Sequence, residues 1–230
     1  MAGRAPLSVV IPALNAAGDL PATLAALAPA AIGGLIREVV IVDGGSTDET
    51  CAIAKAAGAE VIVTAPGRGG QLAEGARRAR GDWLLFLHAD TRLTEGWIDD
   101  AACFMRKQPD GAAAFTLAFD AEGIAPSVVA AGAMVRTRLF SLPYGDQGLL
   151  VSRMRYEAAG GYRAMPLMED VDLIDRLNRQ RRVAVLRSRA LTSARRYQHD
   201  GYARRVMKNL CCIAMHRFGV APEKIEAFYR

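Results

Sequence analysis

The first 90 residues alternate between short apolar runs and segments with helical periodicity, and this alternation restricts the fold more than any other feature of the chain. Four apolar runs bounded by turn residues predict strands, and the first two are rich in β-branched residues: LSVVIPAL, REVVIVDGG, AEVIVTA and DWLLFLHA. Between them, residues 19–28, 47–57 and 71–80 have the pattern of helices. Strands separated by helices pair in parallel, and strands this apolar are covered on both faces. We therefore expect an α/β fold with an open, mostly parallel sheet flanked by helices.

After Asp90 the alternation becomes less regular. The sequence predicts a helix near residues 95–106, a strand at AAAFTLAF, a helix over residues 128–140 and a polar turn at YGDQG. Pro29 and the following Gly-Gly pair predict that the first helix ends before a turn. The 230 residues contain no internal repeat and no low-complexity linker, so we expect a single domain over residues 1–230.

Composition argues against disorder and leaves the partner open. The chain is 51% hydrophobic and 23% charged, as folded proteins are. Its net charge of +5 favours an anionic partner, and basic residues gather between residues 154 and 230, where a solvated basic face is the alternative. The four cysteines lack disulfide or metal spacing, and no segment resembles a signal peptide or a spanning helix. We expect free thiols and a cytoplasmic protein.

Polar residues follow the predicted strands at their carboxyl ends, which is where open parallel sheets bind ligands. They lie at residues 12–15, 43–46, 66–71 and 88–90. GRGGQL falls short of the dinucleotide fingerprint because Leu72 occupies the third glycine position, and no P-loop sequence occurs in the chain. The sequence therefore disfavours hydride transfer and P-loop phosphoryl transfer.

Acidic residues at these ends are candidates for chemistry, and each has a structural alternative. The Asp43 carboxylate is a candidate acceptor for a ribose hydroxyl or a base N–H, and its alternative role is to form a strand-to-helix turn. Asp90 suits a divalent cation that substrate phosphates also bind, or a turn, and His88 would join it only where the metal accepts nitrogen, as manganese does. Glu169 and Asp170 suit either a general base or the first turn of a helix, whose dipole favours acids.

Five motifs, in order along nearly the whole chain, resemble the family-two glycosyltransferases of the GT-A fold. They are VVIPALNAAGDLPATLAAL, EVVIVDGGSTDET, GRGGQLAEGARRARGDWLLFLHADT, YGDQG and MEDVDLIDRL. The pairing of HADT with GDQG is most similar to a bacterial subgroup. The resemblance implies a nucleotide-diphosphate-sugar donor, a divalent cation (Mn²⁺ or Mg²⁺) and inversion at the anomeric carbon. Residues 1–91 would form the nucleotide-sugar-binding half, and residues 92–230 the acceptor-binding half.

The resemblance also implies a role for each matching position. Asp170 would be the base on the acceptor, with Glu169 beside it, and Asp90 would bind the metal, with His88 as a second ligand where nitrogen is accepted. The nucleotide sugar would contact Pro12, Leu14, Asn15, Asp43, Arg68, Gln71, His88, Ala89 and Asp90. The acceptor and leaving-group side would comprise Gly145, Asp146, Gln147, Arg195 and Arg196.

Two departures from the family pattern bear on the reaction. His88 stands where the usual D-x-D motif begins, so metal binding would rest mainly on Asp90 and phosphate. Near the C-terminus, an Arg196-Tyr197 pair stands in place of the family's R-W pair. Three residues earlier, Ser193 stands where processive members carry glutamine, and this replacement favours transfer of one sugar. The expected reaction is a single displacement at the anomeric carbon by a hydroxyl or phosphate of the acceptor.

Two other functions stay open at this stage. A nucleotidyltransferase also uses an open sheet and acidic metal ligands, but it would carry a glycine-rich loop where this chain has PALNAAG. A non-catalytic anion-binding or membrane-surface module would rest on residues 201–220, which predict a basic amphipathic helix. That helix either packs on the sheet or lies on an anionic membrane, where the acceptor would be lipid-linked. No nucleic-acid partner is expected.

Overall fold

A computed structural model describes residues 5–229, and residues 138–140 and 196 are described by their backbone alone. One eight-stranded sheet organises these residues, in the order β3-β2-β1-β4-β7-β6-β8-β5. The strands are Leu7–Ala13 (β1), Ile36–Asp43 (β2), Glu60–Val63 (β3), Trp83–Phe86 (β4), Thr91–Leu93 (β5), Ala112–Phe119 (β6), Leu149–Ser152 (β7) and Ala184–Thr192 (β8).

The sheet is parallel where the sequence alternates regularly and mixed elsewhere. β1 lies parallel between β2 and β4, and β3 extends the parallel part beyond β2. β7 then runs antiparallel between β4 and β6, β6 pairs in parallel with β8, and β5 closes the far edge antiparallel to β8. The prediction of an open, mostly parallel sheet is confirmed.

Helices cover both faces of the sheet. Within residues 5–229 they are Leu20–Ile32 (α1), Thr50–Ala56 (α2), Arg68–Arg78 (α3), Trp97–Lys107 (α4), Ile124–Phe140 (α5), Arg153–Ala158 (α6), Glu169–Gln180 (α7), Arg195–Asp200 (α8), Tyr202–Arg217 (α9) and Pro222–Tyr229 (α10), with a 3₁₀ turn at Gly145–Gln147. Strand β1 shows how two cores form from one sequence, because side chains alternate between faces. Val9 and Ile11 pack with α1 and α4, whereas Val10 packs with α3 and α7.

The first helix differs from its prediction. α1 continues through Pro29 to Ile32, so the expected end near residue 28 was wrong by about one turn. Ala30 is fully buried in the last turn, and the Gly33 amide donates to the Pro29 carbonyl. Burial and this terminal hydrogen bond therefore outweigh the one backbone donor that proline lacks.

Helices α9 and α10 pack on the start of α7, and α9 also contacts α5. Met168 and Val171 form a buried cluster with Cys212 of α9 and Ile225 of α10. The basic amphipathic helix predicted in residues 201–220 is present as α9, but one of its basic residues, Arg205, is only 7% exposed. No helix in the described part of the chain is long and apolar enough to cross a membrane.

Candidate active site

A cavity opens beyond the carboxyl ends of β1 and β4, and we call it the rim cavity. It is lined by Pro12, Ala13, Leu14, Asn15, Ala16, Asp19, Gly67, Arg68, Gln71, His88, Ala89, Asp90, Ser193 and Arg195. Eight of the nine residues predicted to bind a nucleotide sugar are in this set; Asp43 is not. The fold therefore brings together polar side chains from three separate strand ends, as expected from the position of ligand sites in open sheets.

Asp43 lies behind the rim cavity and organises its own turn. The side chain is 1% exposed, and its Oδ2 accepts hydrogen bonds from the amides of Gly45 (2.9 Å) and Ser46 (2.8 Å). The Ser46 hydroxyl donates to Oδ1. Burial alone would raise the pKa of Asp43, but these hydrogen bonds hold the pKa below its ordinary value, so the carboxylate is stable as an anion. This geometry matches the turn alternative, and a contact with the base stays a prediction.

Asn15 and Gln71 fix the wall of the rim cavity. Asn15 has a left-handed backbone (φ 49°), and its Oδ1 accepts from the Thr47 amide at 2.9 Å, which ties the loop after β1 to the loop after β2. Gln71 is 5% exposed, and its Nε2 donates to the carbonyls of Ala13 (2.9 Å) and Val42 (2.7 Å). Both donors of that amide are engaged by strand ends, so Gln71 shapes the site through the backbone.

A second cavity lies beside the first, between the sheet and the C-terminal helices, and we call it the helix cavity. It is lined by Arg68, His88, Asp90, Phe119, Tyr144, Gly145, Asp146, Leu167, Met168, Asp170, Val171, Thr192, Ser193, Tyr197, Arg205, Asn209, Ile213 and Tyr229. Arg68, His88, Asp90 and Ser193 line both cavities. The two spaces therefore meet at the residues that follow β4 and begin α3.

Arg68 is the charged centre of that junction. Its Nε donates to Glu169, its Nη1 lies 3.4 Å from Nε2 of His88, and its Nη2 lies 3.9 Å from Oδ2 of Asp170. Glu169 is fully buried, and its Oε2 has no hydrogen-bond partner among the described residues. Burial raises the pKa of Glu169 more than Arg68 lowers it. Of the two adjacent acids, Asp170 lines the helix cavity and Glu169 lies behind Arg68.

Asp170 reaches the cavity while two amides hold its carboxylate. Its Oδ2 accepts from the Gly145 amide at 2.9 Å and its Oδ1 from the Val171 amide at 2.8 Å. The side chain is 13% exposed. Because each carboxylate oxygen has two lone pairs, both atoms keep acceptor capacity for a ligand.

The YGDQG turn supplies a wall of the helix cavity. A Cβ on Gly145 would lie 2.7 Å from Nε2 of His88, so only glycine fits there without displacing that ring. Gln147 is fully buried, where its Nε2 donates to the Phe115 carbonyl (3.0 Å) and its Oε1 accepts from Thr137 (3.0 Å). Asp146 lines the cavity, and burial raises its pKa to about 6. Gln147 therefore holds the turn, while Asp146 faces the cavity.

The donor set suits a cation that binds together with a phosphate ligand. Within residues 5–229, no three His, Cys, Asp or Glu side chains are grouped so that they could hold a metal ion. Asp90 and His88 line both cavities, and their loop is anchored where Thr23 donates to the Ala89 carbonyl at 2.8 Å. Mg²⁺ is commonly held by one or two carboxylates plus substrate phosphates. The residues present fit such an ion.

Of the two arginines predicted near the leaving group, the structure describes one side chain. Arg195 lines the rim cavity and pairs with Asp19 at 3.0 Å. The Arg196 side chain lies outside the described residues, so its predicted role is not addressed.

Sequence reasoning missed several lining residues. Tyr144, Tyr229 and Ile213 line the helix cavity, and Asp19 lines the rim cavity. Tyr144 is the first residue of the YGDQG motif, so its position was a usable signal. The C-terminal residues carried no such signal, because only tertiary packing brings α9 and α10 to α7.

The chain is an α/β protein with an open sheet and with cavities beyond the carboxyl ends of its strands, where proteins of this class bind ligands. The sequence profile of glycosyl transferase family 2 matches residues 8–136, more than half of the chain, and the chain belongs to this family. The family predicted from the five motifs is thereby confirmed.

Curated relatives align over part of their length. A PGL/p-HBAD biosynthesis glycosyltransferase of Mycobacterium bovis is 43% identical over 95 residues, which cover 38% of this chain and 36% of that protein. A glucosyl-3-phosphoglycerate synthase of Mycolicibacterium smegmatis is 37% identical over 98 residues, which cover 39% of this chain and 32% of that protein. The alignments thus span about a third of these relatives.

Solved structures show the same fold. Glucosyl-3-phosphoglycerate synthase from Mycobacterium tuberculosis, in complex with Mn²⁺ and uridine-diphosphate-glucose, superposes with a TM-score of 0.64 at 22% identity, covering 95% of this chain and 80% of that chain. S. aureus TarS residues 1–349 superpose with a TM-score of 0.63 at 18% identity, covering 81% of this chain and 60% of that chain. The predicted GT-A-type fold is confirmed.

Proposed function

We propose that this chain is an inverting glycosyltransferase that moves one sugar from a nucleotide-diphosphate sugar to an acceptor. The observation that carries the proposal is the meeting of the two cavities at Arg68, His88 and Asp90. A donor in the rim cavity would present its anomeric carbon at this junction, and an acceptor in the helix cavity would approach from the side of Asp170. Family membership and the relatives named as glycosyltransferases support the same reaction class.

Asp170 is the proposed base on the acceptor. Two backbone amides hold its carboxylate in place beside the cavity. It accepts the proton late, when the attacking oxygen has begun to bond to the anomeric carbon and its hydroxyl has become acidic. The nucleoside diphosphate leaves from the opposite face, so the configuration at carbon inverts.

Arg68 and Asp90 act on the donor side. When bound, Mg²⁺ or Mn²⁺ would supply Lewis-acid stabilisation of the diphosphate charge, held by Asp90 with His88 beside it. Arg68 presents a guanidinium to the same phosphates, and Glu169 fixes its orientation from behind. Glu169 is therefore proposed as a positioning residue. The solved neighbour with Mn²⁺ and uridine-diphosphate-glucose supports a donor and cation of this kind.

Two variants separate the proposed roles. Asp170→Asn should keep donor affinity and lose turnover by about 10²- to 10⁴-fold, as loss of a positioned base does. Asp90→Ala should instead weaken Mn²⁺-assisted binding of nucleoside diphosphates in calorimetry. Turnover of Asp170→Asn within a few-fold of the parent would reject Asp170, and the neighbouring carboxyl of Asp146 would be the next candidate. Failure of the parent to bind or cleave any UDP-, GDP- or dTDP-sugar would reject the function itself.

Nucleotidyl transfer is less well supported. Such an enzyme would transfer a nucleotide to a sugar phosphate and release pyrophosphate, whereas glycosyl transfer releases a nucleoside diphosphate. Product analysis by anion-exchange chromatography distinguishes the two directly. A non-catalytic module would bind the nucleotide and release neither product.

We also propose that α9 lies on an anionic membrane, which would favour a lipid-linked acceptor. The solvent-facing side of α9 carries apolar Met207 and Leu210, followed by Phe218, which is 88% exposed. Arg204 and Arg217 are exposed on the same helix. Each basic residue near an anionic surface adds about 1 kcal/mol of attraction, and exposed apolar side chains add burial in the interface. Arg205 contributes little to this charge because it is buried and pairs with Asp200, whereas Arg217 stays exposed although it lies 4.0 Å from Asp175.

Sedimentation with liposomes tests the membrane contact. The parent should pellet with anionic vesicles at low salt and less with neutral vesicles. Phe218→Ser should reduce pelleting, whereas Ile32→Ser, which changes a side chain equally exposed at 88% on α1, should not. Equal recovery of all three proteins in the supernatant under every condition would exclude this contact.

A further inference from the structure

The helix cavity has a chemical character that points to one class of ligand. Its wall carries four aromatic rings and several aliphatic side chains: Phe119, Tyr144, Tyr197, Tyr229, Leu167, Met168, Val171 and Ile213. Tyr197 packs edge-on against Phe119, with ring centroids 5.0 Å apart, so these rings form a fixed surface. A wall of this composition favours a ligand with an apolar body.

The charges of the cavity argue against an anionic ligand. Among the described lining residues the guanidinium groups already have carboxylate partners: Arg68 pairs with Glu169, and Arg205 pairs with Asp200 at 3.0 Å. Arg205 also lies over the ring of Tyr229, 4.4 Å from its centroid. The acids Asp90, Asp146 and Asp170 line the same space. Three carboxylates against two paired guanidinium groups among the lining residues disfavour a phosphate or carboxylate deep in the cavity.

The turn before β7 contains two buried polar atoms that make no hydrogen bond to the described residues. The Tyr144 hydroxyl and Asp146 Oδ1 are buried, and neither has a hydrogen-bond partner among the described residues. Leaving a buried polar group without a partner costs about 1–3 kcal/mol. The phenol can donate and the carboxylate can accept, which is the complement of a single hydroxyl. Both residues flank Gly145, whose amide donates to Asp170 at 2.9 Å.

We propose that the helix cavity binds the acceptor, and that this acceptor is a neutral alcohol or phenol with an apolar body. Its hydroxyl bonds to Tyr144 and Asp146 beside Asp170, and its apolar part lies between the aromatic wall and α9. This inference rests on the proposed glycosyl transfer. It differs from the acid acceptor of one structural neighbour, glucosyl-3-phosphoglycerate synthase from Mycobacterium tuberculosis, which was solved with phosphoglyceric acid.

The test uses four probes and measures binding separately from transfer. Octyl β-glucoside below its micelle concentration and phenyl β-glucoside are neutral with an apolar group, glucose lacks the apolar group, and 3-phosphoglycerate is anionic. Calorimetry on the parent should give tighter binding of both glucosides than of glucose, and none of 3-phosphoglycerate. Transfer assays with the preferred nucleotide sugar should follow the same order. Tighter binding of 3-phosphoglycerate or of glucose would overturn the inference.

Variants locate the binding in the helix cavity. Ile213→Asp places a charge in the apolar wall and should weaken glucoside binding about tenfold or more, since each 1.4 kcal/mol is a factor of ten. Cys211→Asp introduces the same residue on an exposed position of α9 and should leave binding unchanged. Tyr144→Phe removes one hydroxyl at constant volume and should also weaken glucoside binding, even if Ile213→Asp fails to fold.

The outcomes separate this inference from the function it rests on. Parent-like glucoside affinity in both Tyr144→Phe and a folded Ile213→Asp would reject the helix cavity as the acceptor site. Failure to bind any nucleotide sugar would reject the glycosyl transfer, while glucoside binding by calorimetry would still decide what the cavity accepts.

Discussion

Arg68 illustrates what a single residue in this site depends on. The sequence predicted it beside the nucleotide from its motif, and it does line the rim cavity. Its partner Glu169 lies 101 positions further along the chain. No local pattern joins the two, because the pair forms only when α7 packs beside α3. Motifs therefore predicted which residues gather at the site, and tertiary packing decides which of them pair.

Gly145 is a residue whose missing side chain matters. In Gly145→Ala the new Cβ would lie 2.7 Å from Nε2 of His88 and 3.3 Å from Oδ2 of Asp170. Either group must then move, and misplacement of a reacting group by about 1 Å can cost about 10²-fold in rate. We expect kcat/KM to fall by about tenfold to 10²-fold. Circular dichroism should show that the fold is retained.

Gly132→Ala is the matched control. Gly132 lies in α5, where an added Cβ meets nothing within 4 Å, and alanine favours a helix interior by about 0.5–1 kcal/mol. Its activity should equal that of the parent. Parent-like kcat/KM in Gly145→Ala would contradict the tight packing of the YGDQG turn.

Asp146 makes stability depend on pH in a defined direction. Burial raises its pKa from 3.8 to about 6, so between these values the folded state binds more protons than the unfolded state. The free energy of unfolding therefore falls as pH rises through this window, and the penalty is complete above about pH 6. Asp146→Asn should raise Tm relative to the parent at pH 7.5 and change it little at pH 4.

The Tm measurements need a chelator, because a bound cation would also stabilise the Asp146 carboxylate. Each 1 kcal/mol corresponds to roughly 2–4 °C for a chain of this size. An Asp146→Asn difference of equal size at pH 4 and pH 7.5 would show that the effect is steric and not a proton equilibrium.

At the scale of elements, α3 packs unusually close to the sheet. A Cβ on Gly75 would lie 2.3 Å from Cγ1 of Val10 and 2.9 Å from Cγ2 of Val42. Gly75→Ala should lower the free energy of unfolding by about 1–3 kcal/mol, as overpacking does. Gly70→Ala, on the same helix with nothing within 4 Å, should be neutral or stabilising. Urea unfolding of both variants decides whether the close approach or helix propensity dominates.

The elements that the sequence predicted well are those with uniform apolar character. β1, β2 and β4 were predicted because they are buried on both faces. β8 was not, since its burial alternates and its exposed positions include Arg187 and Arg189. β5 has three residues, too few for a period to register. Short or half-exposed strands form because a neighbouring strand supplies hydrogen bonds, which the local sequence does not encode.

Amide side chains in the site were harder to predict than carboxylates. Gln71 and Gln147 lie in motifs and were assigned to ligand contacts, yet their Nε2 groups donate to buried backbone carbonyls. An amide can satisfy a buried carbonyl at low cost, whereas a carboxylate cannot donate. A motif identifies such a residue without distinguishing contact with a ligand from support of the backbone.

At the scale of the whole molecule, the net charge of the sequence is larger than the positive charge that the surface presents to a partner. Several arginines of the C-terminal third act inside the fold. Arg153 donates to the carbonyls of Gly81 and Ala79, and Arg155 donates to that of Leu177. Their positive charge satisfies backbone ends of other elements, so the +5 of the sequence is not available in full to an anionic partner.

The two halves predicted from the sequence share their cores, which bears on how the chain unfolds. β4 of the first half pairs with β7 of the second, and each sheet face is filled by residues from both halves. Trp83 lies on β4 and Trp97 on α4; both are nearly buried in one cluster, and they are the two tryptophans of the chain. We therefore expect one cooperative transition for the single domain.

Single-tryptophan variants can report on each half separately. Trp97→Phe leaves Trp83 as the reporter of the first half, and Trp83→Phe leaves Trp97 as the reporter of the second. Within each variant, the urea midpoint from fluorescence should coincide with the midpoint from far-UV circular dichroism, although both variants are less stable than the parent because each loses buried ring surface. Trp97 also donates its indole N–H to the Ala26 carbonyl of α1 at 3.3 Å, which joins the two halves directly. If the fluorescence midpoint of one variant preceded its own circular dichroism midpoint, the halves would unfold separately, and donor and acceptor binding would then stabilise them independently.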